Sequence, residues 1–404
     1  MIVIDGDYPM AYGAMVLNRD LTLPIAAIRS VAEDRGTMSC LPQMRCGRVA
    51  AAVVKICQRV QRGDCPLPGH RSGEQAYAAA RADLAYYQIL ETRGHVRILR
   101  TRRDLQQHID QWSTSESTED LPVGLILAIE GADSILWPAQ VHDWEEVGVR
   151  VVSLAHYGMS AWCHGTGTGT DGGLVAGADK LLREMEDAGM ILDVTHASDR
   201  SNQESLERFG GRVVATHHNC RTLVPGERQL PDHLLHAIIQ RDGVVGVSMD
   251  TWMLYRAGID WSNIPPDRRR LFPREAITLR DVADHVDYIC QLAGNARHAA
   301  IGGDTDGQGG CQGAPADVDT VADYGKLAGV LKQRGYSVDD VENVMFKNWL
   351  RVLSAGMSDD EGARSDATLQ ADISLPTVWE RPVRYRAEGP AAPGRYGCMV
   401  HPLP

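Results

Sequence analysis

Short apolar runs alternate along the chain with longer stretches in which apolar residues recur at helical spacing. The short runs are apolar throughout, a pattern typical of strands that are buried on both faces of a parallel sheet. We predict strands over residues 2–5, 49–56, 123–129, 149–154, 190–194, 212–216, 243–249 and 298–303. We predict helices over residues 74–92, 103–112, 139–146, 177–188, 199–208, 232–241, 279–293, 319–333 and 338–354. Eight strands in strand–helix order favour an α/β fold of the (β/α)8 TIM-like barrel type over an open sheet.

Three segments interrupt this alternation. The segment HGTGTGTDGG at 164–173 lacks the strand–loop–helix frame of nucleotide-binding loops, so we expect a mobile loop beside the active-site mouth. Residues 250–277 are too polar and too rich in proline for the barrel wall, and we interpret them as an insertion after a strand. We predict one barrel domain over 1–358 and a C-terminal extension over 359–404. The extension either wraps the surface, contacts a partner chain or is loosely ordered.

The composition is that of an ordinary globular protein, with 44% hydrophobic and 23% charged residues. The formal charge of −12 and the lack of a basic patch argue against nucleic-acid binding by phosphate neutralisation. No apolar run reaches the roughly 20 residues that a membrane span needs, and no basic and apolar leader opens the chain. The nine cysteines are irregularly spaced without a C-x-x-C pair, which argues against a disulfide framework. We therefore expect a cytoplasmic protein with no membrane partner.

Acidic and histidine side chains follow the predicted strands, at the ends where a barrel builds its active site. They are Asp5, Asp7, Glu130, His156, His196, His217, His218, Asp250, Asp304 and Asp306. The strand over 49–56 ends on no comparable residue. Carboxylates and imidazoles that share one cavity are costly to desolvate without a cation. Because a glutamate with two or three histidines is the ligand set of zinc or a similar divalent metal, the pattern predicts a centre of the metal-dependent hydrolase type.

Several stretches resemble the membrane dipeptidase family (renal dipeptidase, peptidase M19) of the amidohydrolase-like barrels, and most closely its bacterial branch with an NRDLT stretch. The resemblance runs from residue 1 to about 355. The matching stretches are LNRDLTLPIAAIR (17–29), LPQMRCGRVA (41–50), AIEGADS (128–134), LAHYG (154–158), HGTGT (164–168), LLREMEDAGMILDVTHASD (181–199), ATHHNCRTLVPGERQLPD (215–232), HVDYICQLAGNARHAAIGGDTDG (285–307) and RGYSVDDVENVMFKNWLRVL (334–353).

The resemblance implies a two-metal centre, usually of zinc, that hydrolyses dipeptides and sometimes related amides or β-lactams. By the same resemblance, Glu130 is the carboxylate that bridges the two metals. His196 and His217 are then the imidazole ligands of the second metal. The family also implies a homodimer.

The substrate-handling residues are assigned by the same resemblance. His156 resembles the histidine that polarises the scissile carbonyl, and Arg228 resembles the arginine that binds the substrate carboxylate. Asp304 resembles the aspartate that handles the proton of the attacking water. These roles fit the chemistry of oxyanion stabilisation and bidentate carboxylate binding. We also assign Asp250, at the end of its strand, to substrate binding.

The opening stretch departs from the family pattern. Most members have a His-x-Asp pair where this chain has Asp7 and Pro9 in the ungapped match. A gapped match would put Asp7 on the aspartate position, and the histidine would still be missing. Proline offers no ligand atom, whereas Asp7 can bind a metal through oxygen. A second departure is Phe346-Lys347, where the family often has His-Gly. We therefore expect one zinc ion per chain and a doubtful second site.

Two functional hypotheses follow. The first is a metal-dependent hydrolase that cleaves a dipeptide or a related small amide, with water activated at a mononuclear site. The second is a repurposed family member, either a biosynthetic enzyme with a non-hydrolytic step or a catalytically silent binding protein.

Overall fold

The structure is a computed structural model, and it describes residues 1–31, 34, 36–63, 65, 67–256, 274–306 and 310–359. Within these residues the chain forms one parallel sheet surrounded by helices. The strands are β1 (Val3–Tyr8), β2 (Val49–Ile56), β3 (Val96–Ile98), β4 (Val123–Glu130), β5 (Val149–Ser153), β6 (Ile191–Asp193), β7 (Val213–Ala215), β8 (Val244–Val247) and β9 (Ala299–Ile301).

The sheet is a nearly closed parallel barrel, which confirms the predicted fold. Its hydrogen-bonded order is β1-β2-β4-β5-β6-β7-β8-β9, with β3 paired to the start of β4. Where β1 and β9 meet, the Asp304 amide donates a hydrogen bond of 3.3 Å to the Asp7 carbonyl oxygen. The pairing of β1 with β2 shifts register between Asp5 and Tyr8, so Asp7 lies at an irregularity of the strand.

Helices cover the outside of the barrel. They are α1 (Ile25–Ile28), α2 (Leu41–Cys46), α3 (Gly73–Thr92), α4 (Arg102–Thr114), α5 (Val141–Glu146), α6 (Ala178–Asp187), α7 (Asp199–Arg208), α8 (Asp232–Gln240), α9 (Leu279–Ala293), α10 (Lys326–Gln333), α11 (Val338–Glu342) and α12 (Asn348–Ala355). Local sequence sets several helix ends. Helix α4 begins with a reciprocal cap between Thr101 and Asp104, and α9 ends at Gly294 in the left-handed conformation.

The eight predicted barrel strands are all present, with most ends within a residue or two of the prediction. The predicted helix over 338–354 is α11 and α12 joined by a π-turn over Asn343–Lys347. The sequence pattern missed β3, since three residues with Arg97 at the centre give no recognisable apolar run. It also missed the short helices α1 and α2.

One continuous apolar core fills the barrel and the layer between strands and helices. Strands β2 and β4 are buried along their whole length, as their uninterrupted apolar sequences predicted. None of the helices in the described part of the chain has the length and apolar character to cross a membrane. Most of segment 250–277 and residues 360–404 lie outside the described residues, so the division at residue 358 stays a prediction.

Candidate metal centre

Three side chains converge at the carboxyl ends of the strands. Nε2 of His196 and Nε2 of His217 lie 3.0 Å apart, and each lies 3.4 Å from Oε1 of Glu130. Tetrahedral zinc with bonds of about 2.0–2.1 Å holds its ligand atoms about 3.3 Å from one another. Among the described residues, Glu130 Oε1 and His196 Nδ1 are buried without a hydrogen-bond partner. The spacing and the unused carboxylate oxygen fit a single metal ion.

Two residues at the strand ends, the ligand His196 and its neighbour in the cavity Asp304, have an uncommon backbone conformation. His196 has φ of 68° and Asp304 has φ of 57°, which place both residues in the left-handed region. The His196 carbonyl oxygen accepts a 2.7 Å hydrogen bond from the Thr166 amide of the Gly/Thr loop. Backbone strain of this kind costs about 1–3 kcal/mol and clusters at functional sites. The loop over 164–173 therefore supports the histidine in position.

The Asp7 carboxylate lies behind His217. Its Oδ1 is 3.0 Å from His217 Nδ1, on the side of the ring opposite the Nε2 that faces Glu130. A carboxylate on the second ring nitrogen is the usual partner that orients a metal-binding histidine. The proximity of Asp7, with Asp304 and Glu130, raises the pKa of His217 although burial opposes this.

Lys55 is the unexpected member of the site. Its Nζ lies 3.0 Å from Asp7 Oδ1 and 3.4 Å from Asp193 Oδ2, and it donates a 2.8 Å hydrogen bond to Thr216 Oγ1. The side chain is 1% exposed. Burial would lower the pKa of Lys55, but Asp7, Asp193 and Glu130 outweigh it and raise the pKa above its usual range. Lys55 is therefore a permanent buried cation.

The electrostatics favour a metal-binding protonation state at Glu130 and His196, whereas the raised pKa of His217 means that a metal ion must displace a proton there. Burial would raise the pKa of Glu130, but the Lys55 ammonium, with His156 and His217 beside the carboxylate, outweighs burial and lowers the pKa to about 2. Burial lowers the pKa of His196 and of His156 well below the usual value, and nearby cations add to this. An ionised carboxylate and a neutral imidazole each present a lone pair to a cation.

A cavity of about 70 Å³ opens beside these groups. It is lined by Asp7, Pro9, Tyr12, Cys57, Arg59, Glu130, His156, Tyr157, His196, His217, Asp250, Trp252 and Asp304. Nε2 of His156 lies 3.9 Å from Glu130 Oε2, and its ring packs at 4.2 Å from the His196 ring. The cavity thus brings together seven of the predicted strand-end and site residues.

Asp304 and Arg228 lie on either side of the histidine pair. Oδ2 of Asp304 is 3.9 Å from His217 Nε2. Burial and the charge of Asp7 raise the pKa of Asp304 to about 6, although His217 acts to lower it. Arg228 is fully buried, outside the cavity lining, with Nη2 3.4 Å from His196 Nε2. Its Nε and Nη1 have no hydrogen-bond partner among the described residues.

Two other groups of potential ligands adjoin the first, and in each of them one member contacts a basic side chain from outside the group. Asp7, His217 and Asp304 offer ligand atoms within 4.8 Å of one another, with Lys55 on Asp7. Cys57, Glu130 and His156 do the same, and Arg59 Nη2 lies 3.4 Å from Cys57 Sγ. Both groups share a residue with the set Glu130, His196 and His217. The donor set therefore fits one metal ion better than two.

Sequence reasoning assigned nothing to β2, yet this strand supplies Lys55 to the site and is followed by Cys57 and Arg59 in the cavity wall. The one available signal was a lysine inside an otherwise apolar strand, since a buried lysine requires an acidic partner. Tyr157 was also missed; its ring lies 4.7 Å from His196 and 4.9 Å from His156.

The family model of the membrane dipeptidases (peptidase family M19) matches residues 1–364, which confirms the resemblance. Dipeptidase aclJ of Aspergillus oryzae is 32% identical over 239 residues, which are 57% of this chain and 51% of that protein. Dipeptidase tcpJ of Claviceps purpurea is 27% identical over 246 residues, which are 60% of this chain and 52% of that protein. The chain thus spans about half the length of these curated relatives.

Solved structures share the fold. The metallopeptidase called dipeptidase AC, of family M19, is 22% identical with a TM-score of 0.71, over 88% of this chain and 99% of that chain. A metallopeptidase of Rhodobacter sphaeroides, solved with a phosphinate mimic of the dipeptide L-Ala-D-Ala, is 21% identical with a TM-score of 0.70, over the same shares. At these identities the likeness establishes the barrel architecture.

Proposed function

Because the chain belongs to the membrane dipeptidase family (peptidase family M19), a family of metallohydrolases, we propose that it hydrolyses a dipeptide or a related small amide at a one-metal centre. The observation that carries this proposal is the convergence of Glu130 Oε1, His196 Nε2 and His217 Nε2 at spacings of 3.0–3.4 Å. These are ligand types and distances of a tetrahedral zinc site that keeps one position open.

Glu130, His196 and His217 hold the ion in this proposal, and zinc is the ion that best suits one carboxylate and two imidazoles. When bound, such an ion lowers the pKa of water and polarises a carbonyl oxygen. Asp7 keeps the His217 ring oriented by contact with Nδ1, so it acts as a positioning residue.

Asp304 and His156 handle the proton and the developing charge. With a pKa of about 6, the Asp304 carboxylate is ionised near neutral pH and is basic enough to take a proton from water. Burial keeps His156 neutral, so its imidazole N–H is available to donate a hydrogen bond to the oxygen of the scissile carbonyl. The two residues line the same cavity as Glu130.

The two ends of a dipeptide carry opposite charges, and the site offers a partner for each. Arg228 has unused guanidinium nitrogens beside His196, which suits a carboxylate. Asp250 lies in the cavity wall and suits an ammonium group. A zwitterionic substrate in the cavity would place its ammonium group at Asp250 and direct its carboxylate towards Arg228, which lies beside His196 but outside the cavity lining.

Metal content and turnover test this proposal together. We expect elemental mass spectrometry to find one zinc ion per chain in protein purified without chelators or a metal-binding tag. His196→Ala should lose the ion and reduce kcat/KM for dipeptide or amide cleavage by more than about 100-fold, since even partners of metal ligands are worth about 10–100-fold.

His233→Ala, an exposed histidine of α8, is the matched control and should keep both metal and activity. Cleavage that survives His196→Ala would contradict the proposal. One zinc per chain with no turnover of a broad panel of dipeptides and amides would instead favour the repurposed enzyme or the binding protein. Homodimer assembly and cytoplasmic location stay predictions.

A further inference from the structure

The first group of potential second-site ligands, Asp7, His217 and Asp304, already has a basic side chain of the protein in contact with it. Asp7 Oδ1 contacts two nitrogens at once, Lys55 Nζ and His217 Nδ1, each at 3.0 Å. The Asp7 side chain is 2% exposed, so a metal ion bound at Oδ1 would lie beside both of these nitrogens in a buried site.

We propose that the Lys55 ammonium takes the electrostatic place of a second metal ion, and that by pairing with Asp7 it keeps the centre mononuclear. This inference rests on the proposed one-metal function. It makes Lys55 a positioning residue: it balances the carboxylates while leaving Glu130, His196 and His217 to the single ion.

Geometry fixes the ammonium at this place. Nζ donates hydrogen bonds to Thr216 Oγ1 and Asp193 Oδ2, and it forms an ion pair with Asp7 Oδ1 at 3.0 Å. Asp193 is itself held by four hydrogen bonds, from the amide and hydroxyl groups of Thr195 and Thr216. Lys55 is the second-last residue of β2, a fully buried strand that pairs with both β1 and β4. The cation therefore has no room to swing away when a metal arrives.

Charge repulsion then opposes a second ion. A divalent ion that bound Asp7 Oδ1 at about 2.0–2.2 Å would lie within about 5 Å of Nζ. Two cations at that separation in a buried site repel strongly, because little water screens them. Pro9 adds no ligand atom to offset this repulsion, although it lines the same cavity. Asp7 and Pro9, which replace the family's His-x-Asp pair, and the Lys55 cation on β2 thus all disfavour a second metal ion.

The alternative group of Cys57, Glu130 and His156 also has a basic side chain in contact with one of its members, but that side chain is held less firmly. Arg59 contacts Cys57 Sγ at 3.4 Å, but it has one contact of this kind whereas Lys55 has three. Arg59 is also only partly buried, whereas Lys55 is 1% exposed. Lys55 is therefore the cation to test.

The test restores ligands at β1 with and without the cation. In Asp7→His/Pro9→Asp with Lys55 retained, Asp193 and Thr216 still hold the ammonium beside the restored ligands. We therefore expect zinc content to stay at one ion per chain after equilibration with zinc and removal of the excess. In Asp7→His/Pro9→Asp/Lys55→Met, we expect two. The matched control is Asp7→His/Pro9→Asp/Lys180→Met, which removes an exposed lysine of α6 instead of Lys55. Its zinc content should stay at one ion per chain.

Equal zinc content in the double and triple variants would overturn the role of Lys55. If the Met variant does not fold, Lys55→Gln in the same background gives the same comparison with the donor to Thr216 kept. Calorimetric titration of the unaltered, metal-stripped protein is a further check: two tight zinc sites would overturn the inference. Absence of any bound zinc in the unaltered protein would contradict the proposed function instead.

Discussion

At the scale of single residues, the site is defined by what each polar atom contacts. His217 uses one ring nitrogen towards Glu130 and the other towards Asp7, so the same ring serves the metal set and the buried ion pair. Arg228 differs from these residues because two of its nitrogens have no partner in the described chain. A buried guanidinium in that state is costly, and an anionic ligand would remove the cost.

Arg228→Met should therefore impair binding of a substrate carboxylate while leaving the metal in place. A hydrogen bond to a charged group is worth about 1.5–3 kcal/mol, so we expect kcat/KM for a free dipeptide to fall about 10–100-fold. Steady-state kinetics with a dipeptide and with its C-terminal amide, which lacks the charge, make the comparison. The amide should lose little activity, and an equal loss on both substrates would show that Arg228 does not bind the carboxylate.

At the scale of elements, the ends of β1 and β9 meet closely enough to exclude a side chain between them. A Cβ on Gly303 would lie 2.6 Å and 2.7 Å from the two carboxylate oxygens of Asp5 and 2.8 Å from the Asp7 carbonyl oxygen. The next residue, Asp304, has a left-handed backbone and donates its amide to that same carbonyl. Close approach of the two strand ends is thus what brings Asp7 and Asp304 into one site.

Gly303→Ala should force the strand ends apart and lower the free energy of unfolding by about 1–3 kcal/mol, as overpacking does in a dense interior. It should also reduce activity, because Asp7 and Asp304 move with the strands. Urea unfolding with a parallel activity assay measures both effects.

Gly329→Ala, on the exposed face of α10, is the matched control. A Cβ there meets nothing within 4 Å, and alanine should stabilise the helix by about 0.5–1 kcal/mol. Equal effects of the two changes on stability would contradict the close approach at Gly303.

At the scale of the whole molecule, the barrel buries histidines far from the site as well as within it. His108 on α4 is fully buried, with Nε2 2.8 Å from the Ala50 carbonyl oxygen. Burial lowers its pKa to about 4, although the contact with Ala50 opposes this. The folded protein therefore keeps His108 neutral at a pH where the unfolded chain, with a histidine pKa of about 6.5, is protonated.

Stability should consequently fall as the pH decreases from about 6.5 to about 4. The unfolded state binds the extra proton in this window, and a difference of about 2.5 pKa units corresponds to on the order of 3 kcal/mol for His108. His108→Gln should remove this part of the pH dependence. The measurement is the free energy of unfolding in urea at several pH values.

His233→Gln, an exposed histidine on α8, should leave the pH dependence unchanged. An unaltered slope in His108→Gln would mean that His108 does not stay neutral in the folded protein. His285, whose pKa burial lowers to about 3, should contribute in the same direction and can be tested in the same way.

The sequence by itself determined the fold and most of the cavity wall. Strands buried on both faces leave uninterrupted apolar runs, and a barrel places the residue after each run at one mouth. Glu130, His156, His196, His217 and Asp304 were found on that basis, and the structure brings them together. The absence of a ligand atom at Pro9 could also be predicted from the sequence, because it depends only on residue type.

Only the tertiary structure decided what Asp7 and Lys55 contact. A run of buried residues does not reveal which side chains point into the barrel, so a lysine within β2 carries no partner in its sequence. Its partners Asp7, Asp193 and Thr216 come from β1, β6 and the residue after β7, far apart along the chain. The sequence shows that each strand is buried. Which interior side chains of different strands contact one another is decided only when the barrel closes.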